Sequence, residues 1–350
     1  MPSLPNETGR RVTIRDVARE AAVGIKTVSR VVNDEPNVAP ATAQRVHDAI
    51  ARLNWEPDAI ASNLRRTTTR TRSLGLLLGS VANPFAASIH RAIEDVASHR
   101  GVAVFASSFD EDPEREVSSV EAFLRRKVDG LILTPAAGSQ SYLHDAVPHK
   151  VPVLFIDREP REFRADVVRS DNLGGAVRAT NHLLGRGHRR IAGLFDRSDI
   201  WTSSERRRGF QEAARARGLT DEESVTVSGL DTAEAAHAAV LELFAAASPP
   251  TAIFSAQNDI TVGVLHALRR LGLQREVAVI GFDDVELGDL MEPGVSVVAQ
   301  RPGEIGRSAA ERMFARLEAV RSDATIAPVD IVLPVDLIAR GSGEIAPPAS

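Results

Sequence analysis

The sequence predicts an all-α helix-turn-helix domain at the N-terminus, followed by an α/β core of two doubly wound parallel-sheet subdomains. Three observations carry this. The first ~60 residues place apolar side chains at helical spacing only. From Leu74 onward short apolar runs alternate with amphipathic stretches, the pattern of parallel strands buried on both faces. The chain has 350 residues, whereas single domains usually hold roughly 100–200.

Thr13-Ile14-Arg15-Asp16 reads as a capping box, and Ile14, Val17, Ala18 and Ala21 follow as the buried side of a first helix. Ala21-Ala22-Val23-Gly24 makes a tight turn. In the second helix Val28, Val31 and Val32 form the apolar side, with Ile25, Lys26, Ser29 and Arg30 on the other face. Pro40 opens a third helix with Val46, Ala49, Ile50 and Leu53 inward, broken at Trp55-Glu56-Pro57. Strands are expected at 74–78, 102–105, 130–133, 153–156, 191–195, 252–255 and 277–281. Helices are expected near 87–99, 114–126, 173–185, 204–217, 233–247, 259–271 and 304–320. The polar stretch from Asp157 to Asp171 is the expected crossing between halves, and Ser62–Ser73, with Arg65, Arg66, Arg70 and Arg72, the linker to the helical unit.

Composition narrows the function classes. With 43% hydrophobic and 25% charged residues the chain is globular, and it contains no cysteine, which removes disulfides, thiolate zinc sites and cysteine nucleophiles. No apolar run spans a membrane and residues 1–11 hold no apolar signal core, so a cytoplasmic location without a membrane partner is expected. The net charge of −5 is uneven: residues 1–72 carry 12 Lys+Arg against 8 Asp+Glu, and the remainder 30 against 39. A basic appendage beside an acidic body suits a nucleic-acid-binding module. Dinucleotide, P-loop, hydrolase-elbow and zincin motifs are missing from the sequence. His182 and His188 are expected at surface or interface positions, and no cofactor, metal site or catalytic residue is expected.

In a helix-turn-helix the second helix must be apolar behind, small and polar in front, and flanked by phosphate-binding groups, as residues 24–33 are. Val12-Thr13-Ile14-Arg15-Asp16-Val17-Ala18 and Thr27-Val28-Ser29-Arg30-Val31-Val32-Asn33 resemble the signature of the lac repressor (LacI/GalR) family. The resemblance continues, in family order, through Asn83-Pro84-Phe85, Val128-Asp129-Gly130, Ile156-Asp157-Arg158, Asp171-Asn172-Leu173-Gly174-Gly175, Asn258-Asp259, Gly281-Phe282-Asp283-Asp284 and Leu333-Pro334-Val335-Asp336. It implies a dimeric transcription regulator, a repressor of a palindromic DNA operator, whose core is periplasmic-binding-protein-like and closes on a small molecule such as a sugar, polyol or nucleoside.

The domain boundaries then read as a disordered N-terminus at 1–11, the helix-turn-helix domain at 12–56, a hinge helix and linker at 57–72, an effector-binding and dimerisation domain at 73–340 and a flexible tail at 341–350. The first subdomain takes about 73–168 and 302–329, the second about 169–300 and 330–340. The tail lacks the heptad leucines of a tetramerising coiled coil, so a homodimer is expected.

By the resemblance, DNA contacts fall to Thr13, Gly24, Ile25, Lys26, Thr27, Ser29, Arg30, Asn33, Ala61, Leu64 and Arg65. Lys26 is placed to donate to guanine O6 or N7 or to a phosphate, and Ile25 to pack on a thymine methyl. Leu64 occupies the position of a minor-groove wedge, an apolar side chain that unstacks and kinks a flexible step. Three positions depart from the family pattern: Ala22 and Gly24, in Ala22-Val23-Gly24 where Gly-Val-Ser is usual, and Ser62 where many relatives carry arginine. The effector positions implied are Asn83, Phe85, Asp157, Trp201, Arg206, Asn258 and Asp283, all at expected strand ends or helix starts, where open parallel sheets bind ligands. Trp201 is read as a stacking platform or a loop-packing residue. Of Asn258 and Asp259, one is expected to face the pocket and the other to cap a helix. A solute-binding protein or a sugar-converting enzyme on the same sheets is the rival reading.

Overall fold

A computed structural model describes residues 12–32, 38–55 and 71–349. The chain divides at Thr71/Arg72 into two units. In the first, α1 (Ile14–Glu20), α2 (Ile25–Val32) and α3 (Pro40–Leu53) close over Val17, Ala18, Ala21, Val28, Val31, Val46 and Ala49. Ile14, Val32, Ile50 and Leu53 pack at its margin. The capping box forms: the Thr13 N–H and hydroxyl both donate to the Asp16 carboxylate, at 2.9 and 2.6 Å. Ala22 turns the chain with φ 53°, a left-handed conformation that is uncommon for a residue with a Cβ.

The second unit contains two sheets of matching topology. The first has the order β11-β5-β4-β3-β1-β2 and the second β12-β10-β9-β8-β6-β7. The strands are β1 (Ser73–Leu78), β2 (Ala103–Ser108), β3 (Gly130–Leu133), β4 (Val153–Ile156), β5 (Asp166–Ser170), β6 (Ile191–Leu194), β7 (Ser224–Val227), β8 (Ala252–Ser255), β9 (Ala278–Phe282), β10 (Ser296–Ala299), β11 (Asp330–Leu333) and β12 (Asp336–Ile338). All neighbours are parallel except β10 and β12. The helices beside the interface between the sheets are α4 (Pro84–Ser98), α7 (Asn172–Gly185), α8 (Trp201–Ala216), α10 (Asn258–Leu271) and α11 (Pro302–Arg321).

Each sheet has its own cores. Leu74, Leu76, Ile132, Leu154 and Ile156 of the first pack against Ile89, Ile93, Ile305 and Met313. In the second, Ile191, Phe254, Ile280 and Phe282 pack against Ala176, Leu183, Phe210 and Ala214. Two glycines set how closely the helices approach: a Cβ on Gly306 would lie 2.5 Å from the Ile89 carbonyl oxygen and one on Gly209 2.5 Å from that of Leu173. A larger residue at either would push the helix pair apart.

The expected boundaries need correction in three places. Strand β5 lies wholly in the first sheet, so the chain first crosses at Ser170/Asp171. Residues 330–333 pair with β5 and also belong to the first sheet rather than the second; only residues from 336 join the second. The segment after 340 is not a loose tail at its start. Ser342 is buried, its hydroxyl donating to the Val279 carbonyl at 2.7 Å, and the Ile345 carbonyl sits 2.9 Å from His188 Nε2. His188, expected at a surface or interface position, is fully buried beneath it.

The return of the chain into the first sheet is fixed by one carboxylate. Asp166, completely buried, accepts from Arg312 at 3.0 Å, from Arg316 Nε and from the Val329 N–H at 2.8 Å. Burial opposes its charge, yet the two guanidiniums and the amide hold the carboxyl below its usual range. The same arginines bind the Ala327 and Ile326 carbonyls, so the loop into β11 is tied at both ends. Asp166→Ala strands two cations and should lower unfolding free energy by about 3 kcal/mol, as breaking a buried pair does. Denaturant titration checks this, and a loss below about 1 kcal/mol would show the cluster to be peripheral.

Candidate nucleic-acid interface and ligand cleft

The exposed side of α2 carries the expected reading set. Gly24 is its N-cap, with the Gly24 carbonyl accepting from Thr27 and Val28 N–H at 2.9 and 3.2 Å. Ile25, 38% exposed, and Lys26 project outward on the first turn, Arg30 one turn on, with Thr27 and Ser29 half-buried beside them. An outward isoleucine there suits contact with a thymine methyl. Thr13 keeps only oxygen lone pairs to offer, since its hydroxyl hydrogen goes to Asp16. Asn33, Ala61, Leu64 and Arg65 lie outside the described residues.

In the second unit a cleft of about 550 Å³ opens between the carboxyl ends of the two sheets. Its chemistry is built twice. Asp157 follows β4 and Asp283 follows β9; their N–H groups donate to Val168 and Val298, each at 2.9 Å, and both residues take a left-handed backbone, φ 69° and 72°. The matching strand orders thus aim one aspartate into the cleft from each side.

Arg206, on α8, is the buried cation between them. Its Nε donates to Asn172 Oδ1 and its Nη1 to the Ala256 carbonyl, both at 2.7 Å. The Asp283 carboxylate stands 3.6 Å away, and the guanidinium lies 3.8 Å from the Phe282 ring centroid. Gln300 donates to the other Asp283 oxygen at 2.6 Å. On the opposite wall Arg158 binds Glu111 through both Nη atoms at 2.8 and 2.7 Å and lies 3.6 Å from Asp157. Desolvation pushes Asp157 up, with Arg158 and Arg206 opposing, and pushes Asp283 up, with Arg206 and Gln300 opposing. Asn83 joins the halves: its Oδ1 caps α4 by accepting from the Phe85 N–H at 3.0 Å, and its Nδ2 donates to Asn258 Oδ1 at 3.3 Å.

Asn83, Phe85, Asp157, Arg206, Asn258 and Asp283 therefore meet in one cleft, as expected from sequence. Asn258 is a buried residue of the first turn of α10, and the N-cap is Gln257 rather than either member of the Asn258-Asp259 pair. Trp201 does not line the cleft. Helix α8 begins at Trp201 itself, which puts Thr202, Ser203 and Arg206 on the cleft side and leaves the indole under the Arg169 guanidinium, 5.1 Å from ring centroid to cation. Sequence reasoning missed Glu111, Arg158, Asp196 and Gln300. Arg158 was within reach, as the neighbour of Asp157 in the quoted motif. Gln300 follows β10, a strand the sequence reading did not include, and Glu111 sits in a turn with φ 58° that no pattern announced. Four atoms on the cleft residues are buried without a hydrogen-bond partner: Asp157 Oδ1, Gln257 Oε1, Gln300 Oε1 and Arg158 Nε. Such groups call for a ligand or water.

A helix-turn-helix reader and a two-sheet ligand cleft in one chain define a class: ligand-responsive DNA-binding regulators. The chain belongs to the lacI family of bacterial regulatory proteins. Residues 13–58 match that family's model and residues 180–343 match the periplasmic binding protein-like domain. The ribose operon repressor of Escherichia coli is 30% identical over 309 residues, covering 87% of this chain and 93% of the relative. The lac repressor dimer, solved bound to operator and the anti-inducer ONPF, has the same fold with TM-score 0.83 at 24% identity, over 95% of this chain and 99% of that one. A cellobiose complex of the transcriptional regulator CelR is similar at 29% identity and TM-score 0.68, over 95% and 100%.

Two outcomes are expected. A Cβ on Gly24 would meet only Thr27 Oγ1, at 3.9 Å, so a side chain fits there. Gly24→Ser should add a side-chain cap and a phosphate-binding hydroxyl, stabilising the helix by a few tenths of a kcal/mol and tightening operator binding several-fold; unchanged or weaker binding in a gel-shift titration would contradict this. In the cleft, ligand hydroxyls would donate more strongly to Asp157 and Asp283 in their ionised forms than in their protonated ones. Because both carboxyls titrate above the usual range, effector affinity should fall as pH drops through the interval above about pH 4. Calorimetric affinities that stay flat all the way down to about pH 4, or rise, would contradict the assignment.

Proposed function

We propose that this protein is a cytoplasmic homodimeric repressor of a palindromic operator, released or recruited by a sugar or related polyol or nucleoside held between the two sheets. The carrying observation is the cleft: paired left-handed aspartates and a buried arginine at the carboxyl ends of parallel sheets, in a chain that also bears a DNA-reading helix. Carboxylates and guanidiniums set around a half-buried Phe85 suit vicinal hydroxyls and an apolar sugar face. The ribose and cellobiose in the names of its relatives agree with that chemistry. The cleft binds and releases its ligand without converting it. On the DNA side Ile25 and Lys26 read base edges, Thr13, Gly24, Thr27, Ser29, Arg30, Asn33, Ala61 and Arg65 hold the backbone and neighbouring edges, and Leu64 wedges the operator centre. Ligand closure changes how the halves of two protomers pair, and with it whether two hinge segments fold together on DNA.

Selection of binding sites from random duplex DNA, with and without a pool of sugars and nucleosides, tests this reading. It predicts an enriched palindrome with a flexible central step whose recovery depends on the pool; enrichment in neither condition would overturn it. Leu64→Ala should weaken specific binding much more than nonspecific binding, and equal losses would remove the wedge role.

A further inference from the structure

The charges of the cleft are unbalanced, and every cation in it is already engaged. Seven carboxylates line it against three guanidiniums and no lysine. Arg158 is held by both oxygens of Glu111, Arg197 by both oxygens of Asp199 at 3.1 and 2.6 Å, and Arg206 by Asn172, the Ala256 carbonyl and nearby Asp283. Asp196 receives one backbone N–H, from Arg197 at 2.6 Å. Among the described residues no ion pair neutralises Asp196 or Asp231, both of which face the cleft from the second subdomain.

The helix N-termini do not supply the missing positive charge. Asn83 already takes the Phe85 N–H of α4. Asp259 stands in the first turn of α10. Thr202 and Ser203 open α8 toward the cleft, but Ser203 is bonded to the Asp196 carbonyl at 3.0 Å, which sets that aspartate beside the same turn.

The unpartnered atoms point the same way. Asp157 Oδ1, Gln257 Oε1 and Gln300 Oε1 are acceptors, and Arg158 Nε is the lone donor. The hydroxyls of a polyol each donate once and also accept, so three of them can satisfy all four. A phosphate offers acceptors almost exclusively, so it would leave unmade whichever of these acceptors it faces and add about two negative charges to an acidic site.

Resting on the effector reading above, we infer that the cleft takes an uncharged, unphosphorylated polyol and rejects the phosphorylated form of the same molecule, with Asp196 and Asp231 as the discriminating residues. Repulsion in a partly desolvated cleft, together with the unmade hydrogen bonds, sets the scale at about 100-fold.

Calorimetry on the full-length protein with matched pairs tests this: ribose and ribose 5-phosphate, glucose and glucose 6-phosphate, adenosine and adenosine monophosphate. The neutral member of one pair should bind at least about 100-fold more tightly than its phosphorylated partner. In the Asp196→Asn/Asp231→Asn double variant that ratio should shrink about tenfold, whatever happens to the neutral affinity itself. A phosphorylated member that binds as tightly as its partner overturns the charge inference and leaves the polyol effector standing. A ratio unmoved in the double variant assigns the discrimination to size and overturns the role of these aspartates. Binding by no member of any pair overturns the effector reading and this inference with it.

Discussion

The effector-binding unit depends on keeping one arginine charged in a place with little water. Arg206 is 5% exposed, and burial works against its charge. A guanidinium stays ionised under almost any condition, so the surroundings must answer it. They do so with an amide, a backbone carbonyl, an aromatic face and a carboxylate, drawn from α7, the end of β8 and the end of β9. Three elements of the second subdomain are therefore fixed relative to one another by a single side chain. Arg158 and Glu111 play the corresponding part on the first subdomain, as a fork held by two short bonds.

Around this pair the duplicated topology does the remaining positioning. The same strand order in each half places β4 and β9 at equivalent points, and each is followed by an aspartate in the left-handed region. Strained backbone at a residue with a side chain persists where the surroundings over-determine it. Here the anchoring bond is identical in both halves, from the aspartate N–H to the next strand. The two carboxylates are thereby presented from opposite walls, and the Asn83–Asn258 contact links those walls. Three chain crossings, after β5, β10 and β11, allow the walls to move about a small number of residues, the usual construction of a hinged cleft.

Much of this was legible in the sequence, for identifiable reasons. The first unit was readable because Val17, Ala18 and Ala21, then Val28 and Val31, then Val46, Ala49, Ile50 and Leu53 fall at helical spacing within their own segments. Buried central strands were readable as runs such as Val153–Ile156. Half-polar strands were not: β5 reads Asp-Val-Val-Arg-Ser and β7 Ser-Val-Thr-Val, without the continuous apolar run that marks the others. Missing β10 hid Gln300, and missing β5 and β11 misplaced the division between halves. Starting α8 three residues late put Trp201 in a loop facing the pocket, whereas in the helix its phase carries it to Arg169. Side chains that act through pairing, such as Glu111 on Arg158, leave no spacing signal, because their partners are brought near only by the fold.

The central claim is that the cleft and the DNA-reading helix belong to one coupled equilibrium. Linkage makes this testable without knowledge of any intermediate geometry: whatever factor the effector applies to operator affinity, the operator must apply to effector affinity. The direct measurement is the dissociation constant of the bound polyol for the protein alone and for the protein saturated with operator duplex, by calorimetry under one buffer. The account predicts two different constants, separated by the factor by which that polyol shifts operator affinity. Identical constants, for a polyol shown to occupy the cleft, would contradict it.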